Sequence, residues 1–413
     1  MAYFLPVVQH RTFFTELKHS WLSPQHAKYN WPFVMDEIKA YYEAQFEGSK
    51  VSGSIYEPMT PIVEAAHHHR MAVLDSLPVG LLEDKTIVDF GTGSWGFACI
   101  YPRLHTCNRA IGIDISEVAV RISEEVSAQG EFAYGSRYEY HVSSGFTIPL
   151  ETGSVDLFFT GECIEHVENT DAFLDEIHRV LVPNGMFILT TPNAKPVIYR
   201  ALGDTYAVGP EHIALMTYGE LMSYLDPRFE IVVFKGYNSS IHTHIDPSMK
   251  DKSFAMRWAS AFENFPEEAC GFVVMAKKRN AWVPRECART AYLWHDYKVV
   301  RKGLWNEVRL HQNLCGLKGN LDAQLSLTFA GSTLIVLFWV HDWSGIVELV
   351  VDGLSQKIDL FEHVGGFKRV VISDLDESLL HDLVIRPTGE KNFRSHDDQV
   401  IFYSAASYSY SNK

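Results

Sequence analysis

The chain has 413 residues, of which 46% are hydrophobic and 21% are charged, and its formal net charge is −15. This length is too great for one compact core, and the composition excludes a disordered chain or a coiled coil. Most of the negative charge lies in the first two thirds of the sequence, where it would repel phosphate backbones, so nucleic acid is not an expected partner.

The sequence also predicts the compartment. Its longest uninterrupted apolar run, Leu334 to Val340, is far shorter than the ~20 residues that a membrane span needs. The first residues have neither a basic segment nor a sustained apolar segment, so we expect no secretory signal. Six cysteines without CxxC spacing are typical of thiols in a reducing compartment. A soluble cytoplasmic protein is the prediction.

Three regions differ in their sequence pattern. Residues 1–55 mix aromatic and polar residues, and we expect a helical segment there that serves as a lid or a dimer contact. From Thr86 to Lys278, short β-rich runs alternate with helix-length segments, which predicts a parallel sheet covered by helices. The predicted strands are Thr86–Phe90, Arg109–Asp114, Glu139–Ser143, Val155–Thr160, Met186–Thr191, Phe229–Phe234 and Gly271–Lys277.

Two helices are predicted between these strands. One begins at Ser116-Glu117. The other covers Asp171 to Leu181, buries Phe173 and Ile177 on one face, and is stopped by Pro183-Asn184-Gly185.

A glycine-rich loop directly follows the first predicted strand. The segment from Gly91 to Gly96 has the spacing G-x-G-x-x-G, which dinucleotide enzymes also use. Asp89 stands two residues before Gly91, where its carboxylate would oppose a pyrophosphate but favour a cationic ligand such as S-adenosylmethionine. The glycines would let the backbone approach that ligand closely.

A second acid follows the second predicted strand. Asp114 could accept hydrogen bonds from both ribose hydroxyls, and Ile115 could pack on the adenine face. The alternative for Asp114 is a cap for the helix that begins at Ser116.

Over roughly residues 80 to 225 the sequence resembles class I S-adenosylmethionine-dependent methyltransferases. The resemblance rests on the glycine loop, on the two acids, on Gly153-Ser154-Val155-Asp156 and on the segment Phe173 to Gly185. The resemblance implies a Rossmann-like sheet of order 3-2-1-4-5-7-6 whose last strand is antiparallel. The sequence differs from the family pattern near the expected adenine position, where Ser143 and Ser144 stand in place of the usual acid. The predicted cofactor-binding residues are Asp89, Gly91, Thr92, Gly93, Asp114, Ile115, Ser144 and Gly161.

Glutamates and histidines follow the fourth and fifth predicted strands. Glu162, Glu165 and His166 form an E-x-x-E-H pattern, and His212 follows later; loops after successive strands converge at the carboxyl edge of such a sheet. The pattern is similar to that of ubiquinone-biosynthesis O-methyltransferases and of small-RNA 3′-terminal 2′-O-methyltransferases, and in the latter these four positions hold a metal. We therefore predict either a divalent ion, Mg²⁺ or Mn²⁺, on these four residues or His166 or His212 as a general base.

The C-terminal region has a different pattern. Strand-like runs begin near Ala323, Thr333, Gly345, Gln356, Lys368, His381 and Gln399 with turn signals between them, which predicts a β-sandwich. It resembles the jelly-roll sandwich that accompanies some carbohydrate esterases. Trp339, Trp343, Phe361 and Phe393 are candidates for stacking on a sugar, although Trp339 lies in a run expected in the core. The alternative is a scaffold or oligomerisation domain, which would make the protein a homo-oligomer.

The sequence thus predicts an α/β protein with a seven-stranded methyltransferase sheet and a C-terminal all-β sandwich. The predicted domains are a helical segment at 1–55, a methyltransferase domain at 56–280 and the sandwich at 281–413. The predicted function is S-adenosylmethionine-dependent O-methylation of a sugar or polysaccharide hydroxyl in surface-glycan biosynthesis. The alternatives are a small aromatic or polyketide-type acceptor, and a non-catalytic scaffold that binds the cofactor.

Overall fold

The computed structural model describes residues 39, 43, 82–93, 107–128, 138–197, 212–238, 257, 260–311, 314–362 and 365–412. The predicted segment 1–55 lies outside these residues except for Lys39 and Glu43, and so does Gly96, the third glycine of the loop. None of the helices in the described part of the chain is long and apolar enough to cross a membrane. No disulfide forms among the five cysteines in the same part.

The first half of the described chain forms one mixed sheet of seven strands. Its order is β3-β2-β1-β4-β5-β7-β6, and β7 runs antiparallel to both of its neighbours. This is the Rossmann-like topology that the resemblance implied, so that prediction is confirmed. The strands are β1 Thr86–Phe90, β2 Arg109–Asp114, β3 Tyr138–Val142, β4 Val155–Gly161, β5 Leu181–Pro192, β6 Phe229–Tyr237 and β7 Gly271–Lys278.

Three α-helices accompany the sheet: α1 Glu117–Ala128, α2 Thr170–Val180 and α3 Tyr218–Leu225. Asn169 caps α2 by accepting a hydrogen bond from the Ala172 N–H, and Thr217 forms a capping box with Glu220 on α3. Short 3₁₀ helices cover Ile164–His166 and Pro266–Glu268. α2 ends at Val180 and β5 begins at once, so the helix stops three residues before Pro183.

Both faces of the sheet are covered. On the face that packs against α2 and α3, Val88 and Phe90 lie among buried residues such as Phe158 and Phe173. On the other face, Ile87 packs with a second set of residues that includes Leu157, Phe159, Ile188 and Val273. Burial on two faces explains why these strands are continuous apolar runs in the sequence.

The C-terminal region forms two antiparallel sheets. One has the order β10-β11-β18-β13-β16, with β8 also paired to β18, and the other has the order β15-β14-β17-β12-β9. Both sheets contribute to one apolar core. The strands are β8 Arg285–Leu293, β9 Val300–Lys302, β10 Trp305–His311, β11 Leu314–Gly319, β12 Gln324–Ala330, β13 Thr333–Val340, β14 Gly345–Val351, β15 Leu354–Asp359, β16 Gly366–Ile372, β17 Leu380–Lys391 and β18 Val400–Asn412.

The prediction of an all-β C-terminal region is confirmed, and the seven predicted starts match β12 to β18 within a few residues. The strands β8 to β11 were not predicted individually. Every residue of β13 is buried, because Leu334, Val336 and Phe338 face the opposite sheet while Leu337 packs against Ile213 and Ala214, which lie between β5 and β6 in the sequence. The longest apolar run of the sequence is therefore a strand covered on both faces.

Candidate active site at the carboxyl edge of the sheet

The glycine loop leaves the end of β1 in a conformation that only glycine adopts without strain. Gly91 has a φ of 76° and Gly93 a φ of 62°. The backbone N–H groups of Gly91 and Thr92 both donate to the carbonyl oxygen of Ile113, at 2.8 and 3.1 Å. The loop is therefore tied to the neighbouring strand β2, beside the two predicted cofactor acids.

Asp114 holds this loop in place. Its Oδ2 accepts a hydrogen bond from the Gly93 N–H and its Oδ1 accepts one from the Ser116 N–H, both at 2.9 Å. Burial raises the pKa of the Asp114 carboxyl, although these backbone donors act in the opposite direction. The helix cap itself is Ser116, whose Oγ accepts from the Ala119 N–H. The Ile115 N–H is a third backbone donor to this carboxylate, and since a carboxylate has about four acceptor positions, one remains for a ribose hydroxyl.

Asp89 lies beside Asp114 at the same edge and is also buried. Its Oδ2 accepts a hydrogen bond from the Thr92 hydroxyl at 3.3 Å, so the loop residue between the two glycines orients this carboxylate. Two carboxylates with low exposure, at the ends of adjacent strands β1 and β2, make this edge negative. Such an edge favours a cationic ligand over a pyrophosphate.

The turn after β3 contains two serines, Ser143 and Ser144, and only the Ser143 hydroxyl bonds within the turn. The Ser143 hydroxyl donates to the Thr147 carbonyl and accepts from the Gly145 N–H, so it maintains the turn. The Ser143 N–H donates to the Asp114 carbonyl, which fixes the turn next to this predicted cofactor-binding residue. Ser144 and Ile115 are half-buried in this neighbourhood. Ser144 is thus the serine whose hydroxyl the turn does not use.

The end of β4 is strained. Glu162 has a φ of 51°, a left-handed conformation that a residue with a side chain seldom adopts. Its N–H donates to the Thr190 carbonyl, and its carboxylate accepts a hydrogen bond from the Tyr237 hydroxyl. Strain of this kind concentrates at functional sites and directs the following residues away from the strand. Gly161 before it has no space for a side chain, because a Cβ would lie 2.9 Å from the Phe159 ring.

Glu165, His166 and His212 meet at this edge. One candidate ligand atom from each lies within 4.8 Å of the others, and the two imidazole rings have their centroids 4.8 Å apart. Glu165 is fully buried, and its Oε2 accepts a hydrogen bond from Thr191 at 2.8 Å. Its Oε1 lies 3.7 Å from His166 Nε2. Three of the four predicted metal ligands are therefore neighbours, and Glu162 is turned to Tyr237.

The ligand atoms of Glu165, His166 and His212 are of the kinds that a divalent transition-metal ion binds, but they lie slightly too far apart to bind one ion. Two imidazoles and one carboxylate suit Mn²⁺ better than Mg²⁺, which prefers oxygen ligands. Ligand atoms about 2.1 Å from an ion lie no more than about 4.2 Å apart. Glu165 Oε1 and His166 Nε2, 3.7 Å apart, already meet this limit, and the three ligand atoms lie within 4.8 Å of one another, so a small closing movement would let all three bind one ion.

The glycine loop and the histidine cluster are in direct contact. A Cβ on Gly91 would lie 2.8 Å from both Cβ and Sγ of Cys163, the residue between Glu162 and Ile164. Burial is the main reason that the pKa of the Cys163 thiol is raised far above its ordinary value, which disfavours the thiolate form that a nucleophile needs. The absence of a side chain at Gly91 is what lets the two halves of the site touch.

Two residues of the site were not predicted from the sequence, Tyr237 and Thr191. Tyr237 is the last residue of β6, which runs parallel to β5, so its position at the carboxyl edge was a usable signal. Thr191 lies within β5, and nothing in its local pattern distinguishes it from a core residue.

Comparison with known proteins agrees with this geometry. Residues 88–189 match the family model of a methyltransferase domain. Norajmaline N-methyltransferase of Rauvolfia serpentina is 28% identical over 106 residues, which are 25% of this chain and 35% of that protein. Demethylmenaquinone methyltransferase of Lactococcus lactis is 26% identical over 161 residues, which are 37% of this chain and 60% of that protein. The prediction that the chain contains a methyltransferase domain is confirmed for residues 88–189, and the bounds 56–280 stay a prediction.

The chain therefore spans between about a third and three fifths of the length of these two relatives. A crystal structure of an S-adenosylmethionine-dependent methyltransferase from Aquifex aeolicus aligns with 60% of this chain and 99% of that chain, at 16% identity and a TM-score of 0.37. The relatives include an N-methyltransferase and, in tocopherol O-methyltransferase of Arabidopsis thaliana, an O-methyltransferase. The names of the relatives therefore do not indicate whether nitrogen or oxygen accepts the methyl group.

Proposed function

We propose that this protein transfers the methyl group of S-adenosylmethionine to a hydroxyl oxygen of a sugar or polysaccharide. The observation that carries the proposal is the contact between Gly91 and Cys163, which brings a cofactor loop flanked by Asp89 and Asp114 against the cluster of Glu165, His166 and His212. A methyl donor on the loop would face two imidazoles that can accept a proton.

The cofactor-binding roles follow from chemistry. Asp114 accepts a hydrogen bond from a ribose hydroxyl through its remaining acceptor position, and the Asp89 carboxylate attracts the cationic part of the ligand. Gly91, Thr92 and Gly93 supply a backbone without bulk beside it. Ile115 and Ser144 contact the adenine, and Gly161 keeps the end of β4 close to the donor.

The reaction needs a base because a sugar hydroxyl is a very weak acid. His166 or His212 takes the hydroxyl proton while the oxygen attacks the methyl carbon, and the carbon–sulfur bond breaks as the carbon–oxygen bond forms. The sulfonium becomes a neutral thioether, S-adenosylhomocysteine, and one proton stays on the imidazole. Glu165, buried and held by Thr191, stabilises the imidazolium that forms.

A divalent ion is the alternative activator. Glu165, His166 and His212 would hold it, with Glu162 joining only if its carboxylate leaves Tyr237. Such an ion supplies Lewis-acid chemistry that lowers the pKa of the acceptor hydroxyl. The chelator test below separates the two forms of the proposal.

The C-terminal sandwich supports a sugar acceptor. Trp343 is half-exposed and Phe393 is 90% exposed, whereas Trp339 is buried in the core and Phe361 is half-buried. The loops that carry Trp343 and Phe393 are joined by hydrogen bonds, such as that from the Gln399 N–H to the Trp343 carbonyl, so the two aromatic rings lie at the same end of the sandwich. Exposed aromatic faces stack on the apolar faces of sugar rings.

The proposed setting is surface-glycan assembly in the cytoplasm of a bacterium. The proposed boundaries remain residues 56–280 for the methyltransferase domain and 281–413 for the sandwich. A small aromatic or polyketide-type acceptor is the second candidate within the same chemistry, and the relatives named above favour acceptors of that size.

Methyl transfer from radiolabelled S-adenosylmethionine into host extract tests the proposal. The products are separated into polysaccharide, lipid, small-molecule and RNA fractions, with the double variant His166→Gln/His212→Gln lacking both candidate bases and the exposed His295→Gln as the control. Alkali-stable label in polysaccharide that the double variant abolishes supports a sugar ether. Label in the small-molecule fraction moves the function to the second candidate. Cofactor binding without label in any fraction contradicts an enzyme and favours a scaffold.

The same assay in chelator distinguishes base from metal. Loss of turnover in chelator and its return with Mn²⁺ support the ion. Full turnover in chelator leaves the general base alone.

A further inference from the structure

The loop that follows the histidine cluster is anchored in the C-terminal sandwich by a buried ion pair. Glu168, two residues after His166, is 1% exposed. Its Oε2 accepts hydrogen bonds from Arg289 Nε and from the Tyr408 hydroxyl, both at 2.6 Å. Arg289 on β8 and Tyr408 on β18 are directly paired residues of one sheet, so the two donors form a preformed clamp.

The next two residues of the loop are held by the same sheet. Arg369 on β16 donates to the Glu168 carbonyl at 2.8 Å and to the Thr170 hydroxyl at 3.0 Å. Asn169 donates through Nδ2 to the Tyr410 hydroxyl at 2.8 Å. Three consecutive residues after the E-x-x-E-H segment therefore bond to the sandwich, and only the 3₁₀ turn Ile164–His166 and Val167 separate them from Cys163.

The second histidine is held from the same side. Ile213 and Ala214, which follow His212, are buried against Leu337 and Tyr403 of the sandwich. The Ala214 N–H donates to the Glu165 carbonyl at 2.8 Å. The backbone after His212 is thus enclosed between the Glu165 segment and strands β13 and β18.

The chemistry of the anchor favours a role in positioning. A buried ion pair contributes little net stability compared with apolar residues of the same volume, because removing both charges from water offsets their attraction. What a two-donor clamp does provide is a single geometry for the carboxylate. Glu168 is two residues after His166 in the chain, so its position constrains the backbone that carries this histidine.

We propose that Arg289 and Tyr408 of the sandwich are positioning residues for methyl transfer, which hold Glu168 and thereby fix the His166 imidazole beside His212 and the glycine loop. The sandwich is then part of the active site. This inference rests on the proposed function for its kinetic consequence but not for its geometry.

The kinetic test uses the full chain with the Tyr408→Phe variant, which removes one hydroxyl from the clamp and keeps the ring. A displacement of about 1 Å at a reacting group lowers turnover by as much as about a hundredfold. We expect kcat to fall at least about tenfold while the Kd for S-adenosylmethionine in titration calorimetry changes less than about twofold. The matched control is Tyr292→Phe, a buried tyrosine of the same sandwich whose hydroxyl contacts Ser407 at 3.4 Å.

Unchanged kcat in Tyr408→Phe, or an equal fall in Tyr292→Phe, overturns the proposal. A parallel loss of cofactor affinity also overturns it, because that result indicates general loosening of the fold. Arg289→Lys should recover part of the turnover that Arg289→Met loses, since lysine restores the charge but not the fork geometry.

A second readout does not need activity. In protein labelled with ¹³C-histidine, the His166 ring resonance, assigned through His166→Gln, should move in Tyr408→Phe and stay in place in Tyr292→Phe. If the wild-type protein transfers no methyl group, the proposed function fails, and this spectrum alone decides the positioning. An unmoved His166 resonance in Tyr408→Phe refutes it.

Discussion

Asp175 joins helix α2 to the beginning of the sandwich, and its removal should destabilise the whole chain. The residue is fully buried, and its two oxygens accept hydrogen bonds from Arg228 Nε at 2.7 Å, Trp282 Nε1 at 2.9 Å and Arg285 Nε at 3.0 Å. Arg228 is 2% exposed, and its guanidinium lies 4.5 Å from the centre of the Trp282 ring.

In Asp175→Ala, Arg228 keeps Asp171 as its remaining carboxylate partner, bonded at 2.6 Å. Breaking a buried pair by removing one partner costs about 3–5 kcal/mol, because the other charge stays out of water. Because Arg228 keeps Asp171 while Trp282 Nε1 and Arg285 also lose an acceptor, we expect the free energy of unfolding to fall by about 3 kcal/mol, the lower end of this range. Asp175→Asn should lose less, since it keeps the volume and one acceptor oxygen but not the charge.

Urea denaturation of the full chain measures this effect, with the fluorescence of its nine tryptophans, Trp282 among them, reporting side-chain packing and circular dichroism reporting the backbone. Both probes are needed because a chain of this length can unfold in more than one step. The matched control is Asp171→Ala, on the same helix and bonded to the same arginine but about one third exposed, which should cost about 1 kcal/mol or less. Equal losses in the two variants, or a loss below about 1 kcal/mol in Asp175→Ala, would refute the reasoning.

Three further predictions concern the cofactor site and pH. Gly91→Ala should lower S-adenosylmethionine affinity at least about tenfold in calorimetry, because its methyl meets Cys163 and its φ is 76°, whereas Gly153→Ala, at a φ of 65° with open space, should not. Asp114→Ala should weaken the same binding strongly, and unchanged affinity contradicts its assignment. Burial lowers the pKa of His178 to about 4 from its ordinary 6.5. The unfolded chain therefore takes up a proton at a higher pH than the folded chain. The free energy of unfolding should fall by up to about 1.4 kcal/mol per pH unit as the pH drops from 6.5 to 4. In His178→Gln the free energy of unfolding should depend less steeply on pH.

Much of the methyltransferase sheet could be predicted because its signals are local. Parallel strands buried on two faces are short apolar runs, as Thr86–Phe90 is, and the glycines of the loop mark a backbone with positive φ. The strands β8 to β11 were harder to predict. The residues of β8 alternate between half-buried and exposed, and its ordering depends on pairing with β18, more than 100 residues away.

Helix α2 shows a feature that the local sequence pattern does not predict, the burial of its polar side chains. Its apolar face was predicted, and a polar opposite face is usually solvated. In the structure the polar side chains Asp175, Glu176 and Arg179 are also buried. Glu176 pairs with Arg179 on the same helix and accepts from the distant Ile148 N–H. Asp175 finds its charged partners in other parts of the chain, including Arg285 of the sandwich.

The candidate site divides in the same way. The sequence by itself determined the position of two acids at the ends of β1 and β2, the glycine loop between them and the association of Glu165, His166 and His212, because strand ends, glycine spacing and a shared sheet edge are readable along the chain. Only the tertiary structure decided that Glu162 turns to Tyr237 and that Glu168 is buried against Arg289 and Tyr408. The physical reason is that a carboxylate is normally exposed, and its burial requires a partner that compensates its charge. For Glu168 the two partners lie 121 and 240 residues away in the sequence, so no local pattern predicts its burial.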